Sequence, residues 1–204
     1  MRIIKRVVVL SFFGGWLLGC STVPIAMGPD VYSLAKLEGA PVVAVPKVVD
    51  NRSDQERLGT IGVASFSSQA DIPQSLTNRL LFALHERGFN VARISSVDPQ
   101  EGSQIKEQLN ANSAQGLLYV SLEEVHLFSI DSLLQPTTVD VTLHALLFDN
   151  NGRILFDHRV SSSASKRLGL ATKGSVSELV EQAIEQSVGD LLSHEALKQN
   201  LKKI

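Results

Sequence analysis

The first amphipathic segment of the chain, residues 72–87, predicts an α-helix. Its leucine and alanine side chains recur at positions i, i+4, i+7 and i+8, the spacing that gathers them on one helical face. Asp71 is a suitable N-cap, Pro73 falls in the first turn where its missing N–H costs nothing, and Gly88 follows the last turn. The pattern therefore marks both the start and the end of this helix.

A second, longer amphipathic segment covers residues 175–192. It carries a wide apolar stripe, and Ser175 and Glu178 have the spacing of a capping box at its start. A short amphipathic tail, residues 195–203, follows it, and residues 104–110 form a weaker helix candidate with few apolar positions. The sequence thus predicts two strong helices and a third, weaker one.

Six runs of β-branched and apolar residues predict strands. They cover residues 41–49, 60–66, 89–94, 116–130, 139–148 and 153–161. Pro46 suggests that the first run lies at a sheet edge or bends. The first two runs could pair, although the polar loop 50–57 between them is longer than a tight hairpin.

The last two strands are joined by a sequence typical of a β-hairpin. Asn151-Gly152 favours a type I′ turn, which needs positive φ at both residues. The register that follows places three pairs opposite one another on a mostly apolar face: Leu147 and Phe156, Ala145 and His158, Leu143 and Val160. The other face is polar, as in an antiparallel sheet with one solvated side. Residues 41–204 therefore predict a single α+β domain of two layers, a mostly antiparallel sheet with helices packed on one face.

The N-terminus has the pattern of a bacterial signal peptide. A basic start, with Arg2, Lys5 and Arg6, precedes an apolar run at residues 7–18. A helix of about 12 residues would span only about 18 Å, well short of the roughly 30 Å hydrocarbon core of a membrane. The run is therefore better explained as part of a removable signal peptide, residues 1–19, than as a transmembrane helix.

Leu17-Leu18-Gly19-Cys20 resembles the lipobox of bacterial lipoproteins, in which a peptidase cuts ahead of a diacylglyceryl cysteine. Cys20 is the only cysteine, so no internal disulfide can form. The resemblance implies that acyl chains such as palmitate on Cys20 anchor the protein, because two or three chains together hold a protein stably on a membrane. Ser21, in place of an aspartate, implies release to the outer membrane, with the domain facing the periplasm. Residues 20–40 are predicted to be the lipidated cysteine and a tether, since they carry prolines and glycines with little periodicity. Part of this segment could still dock on the domain through its apolar residues Val31, Tyr32, Leu34 and Leu37.

Composition and charge narrow the classes of ligand. The formal net charge is -2 and aromatic residues make up 5% of the chain, so neither a basic stripe for nucleic acid nor a stacking platform for bases is indicated. The sequence has no nucleophile, zinc-protease or phosphate-loop motif. We therefore expect no cofactor, no bound nucleic acid and no enzymatic activity.

One polar loop is a candidate site for contact with a partner. Asp50, Arg52 and Asp54 lie close together in it and could bind an anion through the arginine or a cation through the carboxylates. The structural explanation is an Asx-type loop whose charges pair locally, and it is the better supported of the two.

Two further polar segments have simple structural explanations. In residues 123–126, Glu124 and His126 would share one strand face and could touch a metal, but a third protein ligand is needed. Residues 149–152 have the composition of a calcium loop without its downstream glutamate, and the hairpin turn accounts for them.

Three features of the chain are shared with a known family of proteins. They are the valine-rich strand that leads into Asp50-x-Arg52-x-Asp54, the helix that ends in Leu84-His85-Glu86-Arg87-Gly88-Phe89, and the C-terminal helix that leads to His194, Lys198, Gln199 and Asn200. Together with the lipobox, they make most of residues 20–204 similar to the YajG family of uncharacterised Gram-negative lipoproteins. That family has no established activity, so the resemblance implies no catalytic or binding residues.

These features predict a non-enzymatic lipoprotein of the outer membrane whose periplasmic domain binds or stabilises another component of the cell envelope. The alternative is an auxiliary lipoprotein of a lipid or lipopolysaccharide transport system, which predicts an apolar groove for an acyl chain. An enzyme would instead need a pocket that gathers His126, His144 or His158 with carboxylates.

Overall fold

The computed structural model describes residues 21–25, 34–68, 71–130, 135–169 and 171–204, which form nine strands and four helices. The strands are β1 (Ser21–Val23), β2 (Val42–Pro46), β3 (Val49–Asp50), β4 (Arg57–Ile61), β5 (Ala64–Ser68), β6 (Asn90–Ile94), β7 (Gly116–Ser129), β8 (Thr137–Asp149) and β9 (Ile154–Lys166). The helices are α1 (Ile72–Glu86), α2 (Gly102–Ala111), α3 (Lys173–Ser193) and α4 (Glu195–Leu201). The predicted signal peptide, Cys20 and residues 26–33 lie outside the described residues.

Strand β7 organises the sheet. It pairs antiparallel with β8 along one edge, and on its other edge it pairs in succession with β2, β3 and β4, all parallel. β6 lies outside β2, β5 and β1 lie outside β4, and β9 lies outside β8. One long strand therefore joins two groups of short strands to a long antiparallel ribbon.

The sheet is mixed, and the prediction of a mostly antiparallel sheet is wrong. Five of the eight strand pairings among the described residues are parallel. Helix α1 precedes β6, and helix α2 connects β6 to β7. Because the connection through α2 crosses over the sheet, it joins two strands of the same direction, whereas β5, the strand before α1, runs antiparallel to β6.

Helices cover both faces of the sheet, so the prediction that they pack on one face is wrong for α2. Helices α1, α3 and α4 share the larger core cluster with one face. Ile105 and Leu109 of α2 belong instead to a smaller cluster on the other face, with Leu117 and Phe148. The two helices belong to different kinds of connection, since α2 lies in the crossover from β6 past β2 to β7 and α1 follows β5, which runs antiparallel to β6.

The structure confirms the predicted helix α1 and its capping. The Asp71 carboxylate accepts the backbone N–H of Gln74 at 2.9 Å, and Gly88 follows the helix with a φ of +89°. The leucines of the predicted apolar face are buried. The polar and glycine signals at both ends of this helix were therefore sufficient to locate it.

The predicted α3 is present but starts earlier than expected. Its N-cap is Thr172, which exchanges hydrogen bonds with Ser175 as a capping box. The predicted box of Ser175 and Glu178 is wrong, because Glu178 pairs with Lys166 of β9 at 2.9 Å. No helix among the described residues, α3 included, is both long and apolar enough to cross a membrane.

The β8–β9 hairpin has the predicted register but a different turn. All three predicted pairs are present: Leu147 with Phe156, Ala145 with His158, and Leu143 with Val160. Asp149 Oδ1 accepts the N–H groups of Asn151 and Arg153, both at 2.8 Å, and within this turn only Gly152 has a positive φ. The type I′ prediction is wrong, because the turn is the three-residue kind that closes on one left-handed glycine. These bonds also account for the polar residues 149–152.

The run 60–66, predicted as one strand, contains a hairpin. β4 ends at Ile61, the chain turns at Gly62-Val63 with a φ of +57° at the glycine, and β5 begins at Ala64. The suggested pairing of this run with residues 41–49 is also wrong. Both β2 and β4 pair with the same edge of β7, one after the other along its length, so they do not meet as neighbours.

The predicted tether, residues 20–40, is bound to the domain wherever the structure describes it. Ser21–Val23 pairs in parallel with β5, and Val23 is fully buried. Further along, Leu37 and Asn90 are joined by two hydrogen bonds, of 2.8 and 2.7 Å. Both described parts of the predicted tether therefore contact the domain, through backbone or side-chain hydrogen bonds.

Gly59→Ala should destabilise the protein strongly. Gly59 has a φ of +145°, and a Cβ there would lie 1.9 Å from the carbonyl oxygen of Leu127. We expect the free energy of unfolding to fall by about 3 kcal/mol or more, because β4 would have to separate from β7. The matched control is Gly88→Ala, where φ is +89° but no atom lies within 4 Å, so only about 1–2 kcal/mol of backbone strain is expected. Equal losses in denaturant titrations would contradict this account.

Val23→Asp tests whether the chain after Cys20 belongs to the folded domain. Val23 is fully buried, so an unpaired carboxylate there should cost about 3 kcal/mol of stability. Thr22→Asp, one residue earlier on the exposed side, should change stability by less than about 0.5 kcal/mol. Denaturant titration of both variants measures the loss of stability. Two small and equal losses would mean that this segment is a free tether.

Candidate functional site

A β-bulge at Glu123 decides which side chains of β7 reach each face of the sheet. Leu122 pairs with Leu143 but Glu124 pairs with Thr142, so Glu123 is one residue more than β8 can match. The core-facing residues change from even to odd numbers across it: Leu118, Val120 and Leu122 before, Val125 and Leu127 after. The even-numbered residues beyond the bulge therefore lie on the outer face, where they are exposed.

The loop 51–56 leaves β3 beside this bulge and is held by a buried ion pair. Arg52 donates through Nε and Nη2 to the two carboxylate oxygens of Asp50, at 2.9 and 2.7 Å, and through Nη2 to the carbonyl of Gln55 at 2.6 Å. The side chain of Arg52 is 5% exposed and that of Asp50 is 14% exposed. A bidentate pair in such surroundings fixes the shape of the loop.

The three loop residues singled out from the sequence thus have different positions. Asp50 and Arg52 hold the loop together, which is the structural explanation of their charges. Asp54 is exposed, and its carboxylate accepts the backbone N–H of Arg57 at 3.1 Å. Of the three, Asp54 is the one whose charge a partner can reach.

Glu123 joins the loop to the bulge. Its Oε1 accepts hydrogen bonds from Ser121 Oγ at 2.6 Å and from Asn51 Nδ2 at 3.1 Å. The Ser121 hydroxyl lowers the pKa of Glu123, burial raises it, and Asn51 and the positive charge of Arg159 lower it again. The net shift of the pKa is downward, so Glu123 is ionised at neutral pH and its charge belongs to the site.

The loop, the bulge and β4 enclose a surface depression of about 410 Å³, which we call the loop–bulge depression. It brings together two of the polar clusters that the sequence singled out. Its charged and imidazole side chains are Arg52, Asp54, Arg57, Glu123, Glu124 and His126. Both signs of charge are present within a small area, so the depression suits a polar partner that carries complementary charges.

Glu124 and His126, the pair considered as metal ligands, share the outer face of β7, as predicted. Within the described ranges, no group of three or more histidine, cysteine, aspartate or glutamate side chains is placed to hold a metal ion.

The three histidines that an enzyme would have to gather lie apart. His126 lines the loop–bulge depression, and His144 accepts or donates a 2.7 Å hydrogen bond with Asp157. His158 lies beside His194, with 4.6 Å between the ring centroids and the ring planes tilted by 50°. These three histidines form no common pocket in the described chain. The expectation of no enzymatic activity stays a prediction.

A second depression, of about 420 Å³, lies where the carboxyl ends of β2 and β6 meet the start of α1. Sheets with parallel strands commonly bind ligands at such a place. Here Asp71 caps the helix and accepts a 2.5 Å hydrogen bond from Lys47 Nζ. Burial raises the pKa of Asp71, but the hydrogen bonds from Lys47 and from the N–H of Gln74 outweigh it and lower the pKa. The chain's own carboxylate thus takes the position that a phosphate would occupy.

A third feature is a groove of about 460 Å³ between α1 and α3, which we call the helical groove. Phe82, Ala83 and Val188 supply its apolar lining, and Phe82 is 37% exposed. Charged side chains surround this lining, among them Arg79, whose guanidinium lies 3.8 Å from the carboxylate of Glu185.

The sequence reasoning missed Asn51, Ser121 and Arg57 as members of the site. Ser121 alternates regularly with apolar neighbours, and Asn51 lies in an ordinary polar loop, so neither stands out alone. The available signal is the adjacent pair Glu123-Glu124, which interrupts an otherwise alternating strand. Two consecutive polar residues at that point indicate a bulge and hence a bend beside the loop.

Comparison with known proteins gives structural likeness only. No protein-family model and no curated protein matches the sequence. A solved structure from Xanthomonas campestris, of a protein in family DUF330, is 12% identical with a TM-score of 0.58, covering 90% of this chain and 99% of its own. A neuraminyllactose-binding hemagglutinin homologue from Helicobacter pylori is 12% identical with a TM-score of 0.50, covering 88% of this chain and 99% of its own.

A lipoprotein from Neisseria meningitidis, GNA1162, is a looser match, 14% identical with a TM-score of 0.43, covering 72% of this chain and 96% of its own. At such identities the first two likenesses establish the fold and nothing about activity or ligand. The resemblance to the YajG family stays a prediction.

Proposed function

We propose that this protein is a lipid-anchored component of the outer membrane whose periplasmic domain binds or stabilises another component of the cell envelope without catalysis. The observation that carries the proposal is the position of the only cysteine. Cys20 ends a lipobox and directly precedes Ser21, the first residue of β1. A lipid on that cysteine would hold the folded domain at the membrane surface with no linker between them.

The loop–bulge depression is the surface that we assign to the partner. Its walls are fixed by the pair of Asp50 and Arg52 and by the hydrogen bonds of Glu123. The exposed charges of Asp54 and Glu124 are therefore presented in a set arrangement, which lowers the entropic cost of binding. A polar, preorganised surface with charges of both signs suits recognition of a protein or a charged head group.

The helical groove supports one alternative, an auxiliary lipoprotein of a lipid or lipopolysaccharide transport system. Its volume of about 460 Å³ falls in the usual range of small-molecule sites, and Phe82 offers an exposed apolar surface. The charged residues around it would contact the polar end of a bound lipid. The two functions place the ligand on different surfaces and can therefore be separated by experiment.

Cys20→Ala should abolish lipid attachment. The full-length variant should incorporate no labelled palmitate and should keep its signal peptide, since cleavage follows lipidation in proteins with this motif. Metabolic labelling and mass determination of the N-terminus measure both effects. Normal labelling of the variant would refute the anchor, because the chain has no other cysteine.

A photo-crosslinking residue at position 124 should capture the partner in intact cells. Glu124 is exposed inside the loop–bulge depression, whereas Glu107 is exposed on α2 and serves as the matched control. We expect a discrete adduct at 124 that is several-fold stronger than at 107. The adduct should also be lost when Arg57, in the same depression, is changed to Glu.

The outcomes of this experiment separate the two functions. Equal capture at positions 124 and 107, or no capture at either, would contradict the assignment of the partner to the loop–bulge depression. A crosslinker at position 82, in the helical groove, provides the third arm. Capture of lipid at 82, with none of any partner at 124, would favour the transport alternative.

A further inference from the structure

The exposed large apolar side chains of the domain are concentrated at one end of the sheet. The described residues include five of them: Val63, Phe82, Phe128, Ile130 and Ile154. Val63, Phe128 and Ile130 lie together, and we call these three residues the apolar tip. Isolated apolar residues on a surface are ordinary, but a cluster usually marks a surface of contact.

The contacts of the β4–β5 turn bring these residues together. Gly62 donates its N–H to the carbonyl of Ser129 at 2.8 Å, which ties the turn to the end of β7. Val63 follows in the turn and is 73% exposed, and Ile130 follows β7 and is 65% exposed. Phe128, 49% exposed, lies two residues before Ile130, on the outer face set by the bulge.

The register of β1 places the start of the folded chain at this same end. Ser21 pairs with Phe66, and β1 runs parallel to β5. Since β5 begins just after the turn, the chain enters β1 from the side of the turn. Phe66 is three residues from Val63, or about 10 Å along a strand, and the Cα of Cys20 is about 3.8 Å from that of Ser21.

We propose that the apolar tip rests in the membrane interface beside the lipid on Cys20, which fixes the orientation of the domain as well as its distance from the membrane. This proposal rests on the proposed function, because it requires the lipid on Cys20. Apolar side chains held at the surface by an anchor enter the boundary between head groups and acyl chains, where their burial is favourable. Lys173, an exposed basic residue at the start of α3, follows the end of β9 at this end of the sheet and suits anionic head groups, whereas Lys166 is already paired with Glu178.

The test uses the full lipidated protein and single labels. Because Cys20 would be blocked by lipid, Val63→Cys or Ile130→Cys introduces the only free thiol for an environment-sensitive fluorophore. Ile154→Cys is the matched control, since Ile154 is 54% exposed but lies at the start of β9, at the other end of the ribbon. Each variant is reconstituted in vesicles of phosphatidylethanolamine and phosphatidylglycerol.

We expect lipid-borne nitroxides to quench the labels at 63 and 130 several-fold more than the label at 154, and aqueous iodide to show the reverse order. The contrary result is that iodide quenches all three labels equally in protein that carries its lipid and stays on the vesicles. That result would contradict the membrane contact of the apolar tip and would leave the proposed anchor on Cys20 unaffected. Protein that carries no lipid and washes off the vesicles would overturn both proposals. All three positions are exposed, so the labels should leave the fold unchanged.

Discussion

The bulge at Glu123 is the constraint on which the outer face of this domain depends. It inserts one residue into β7, so the side chains beyond it change faces while the strand continues to pair with β8. Without it, Val125 and Leu127 would face solvent and the apolar core under α3 would end halfway along the strand. The same shift sends Glu124 and His126 into the loop–bulge depression and Phe128 to the apolar tip. The core, the surface proposed for a partner and the membrane contact proposed for the apolar tip thus depend on one local irregularity, which the hydrogen bonds of Glu123 help to hold.

The sequence predicted those features whose signals are local. The ends of α1 and the register of the β8–β9 hairpin followed from caps, glycines and alternation, and the structure has them. The side of the sheet that α2 covers was not predictable in this way. It depends on the order of β2, β6 and β7 across the sheet, which no single segment records. The parallel pairing of β1 was missed for a related reason, because three residues carry no periodicity and their partner lies more than 40 positions away.

The candidate site was likewise predictable only in those parts whose signals are local in the sequence. Asp50, Arg52 and Asp54 were correctly seen as a group, and the local explanation of their charges holds for the first two. What the sequence did not reveal is that this loop meets the bulge, since β3 pairs with β7 for only two residues. That short pairing brings Asn51 within 3.1 Å of Glu123 and so creates the depression. The depression is formed by long-range contacts between a few residues, whereas the main helices and strands are formed by long periodic segments.

The pairing of β1 with β5 limits which partners a domain anchored through Cys20 could reach. A free segment of about 20 residues would let the domain sample a sphere of about 25 Å around the anchor. With β1 beginning at Ser21, a lipid on Cys20 would instead hold the domain against the membrane, with this end of the sheet toward the lipid. His126, in the loop–bulge depression, is two residues or about 7 Å along the strand from Phe128 of the apolar tip. If that tip rests in the interface, the depression lies just above the head groups, whereas α2 and the β8–β9 turn point away. A partner recognised there must itself approach the membrane surface, which favours a membrane-associated component over a freely diffusing periplasmic protein.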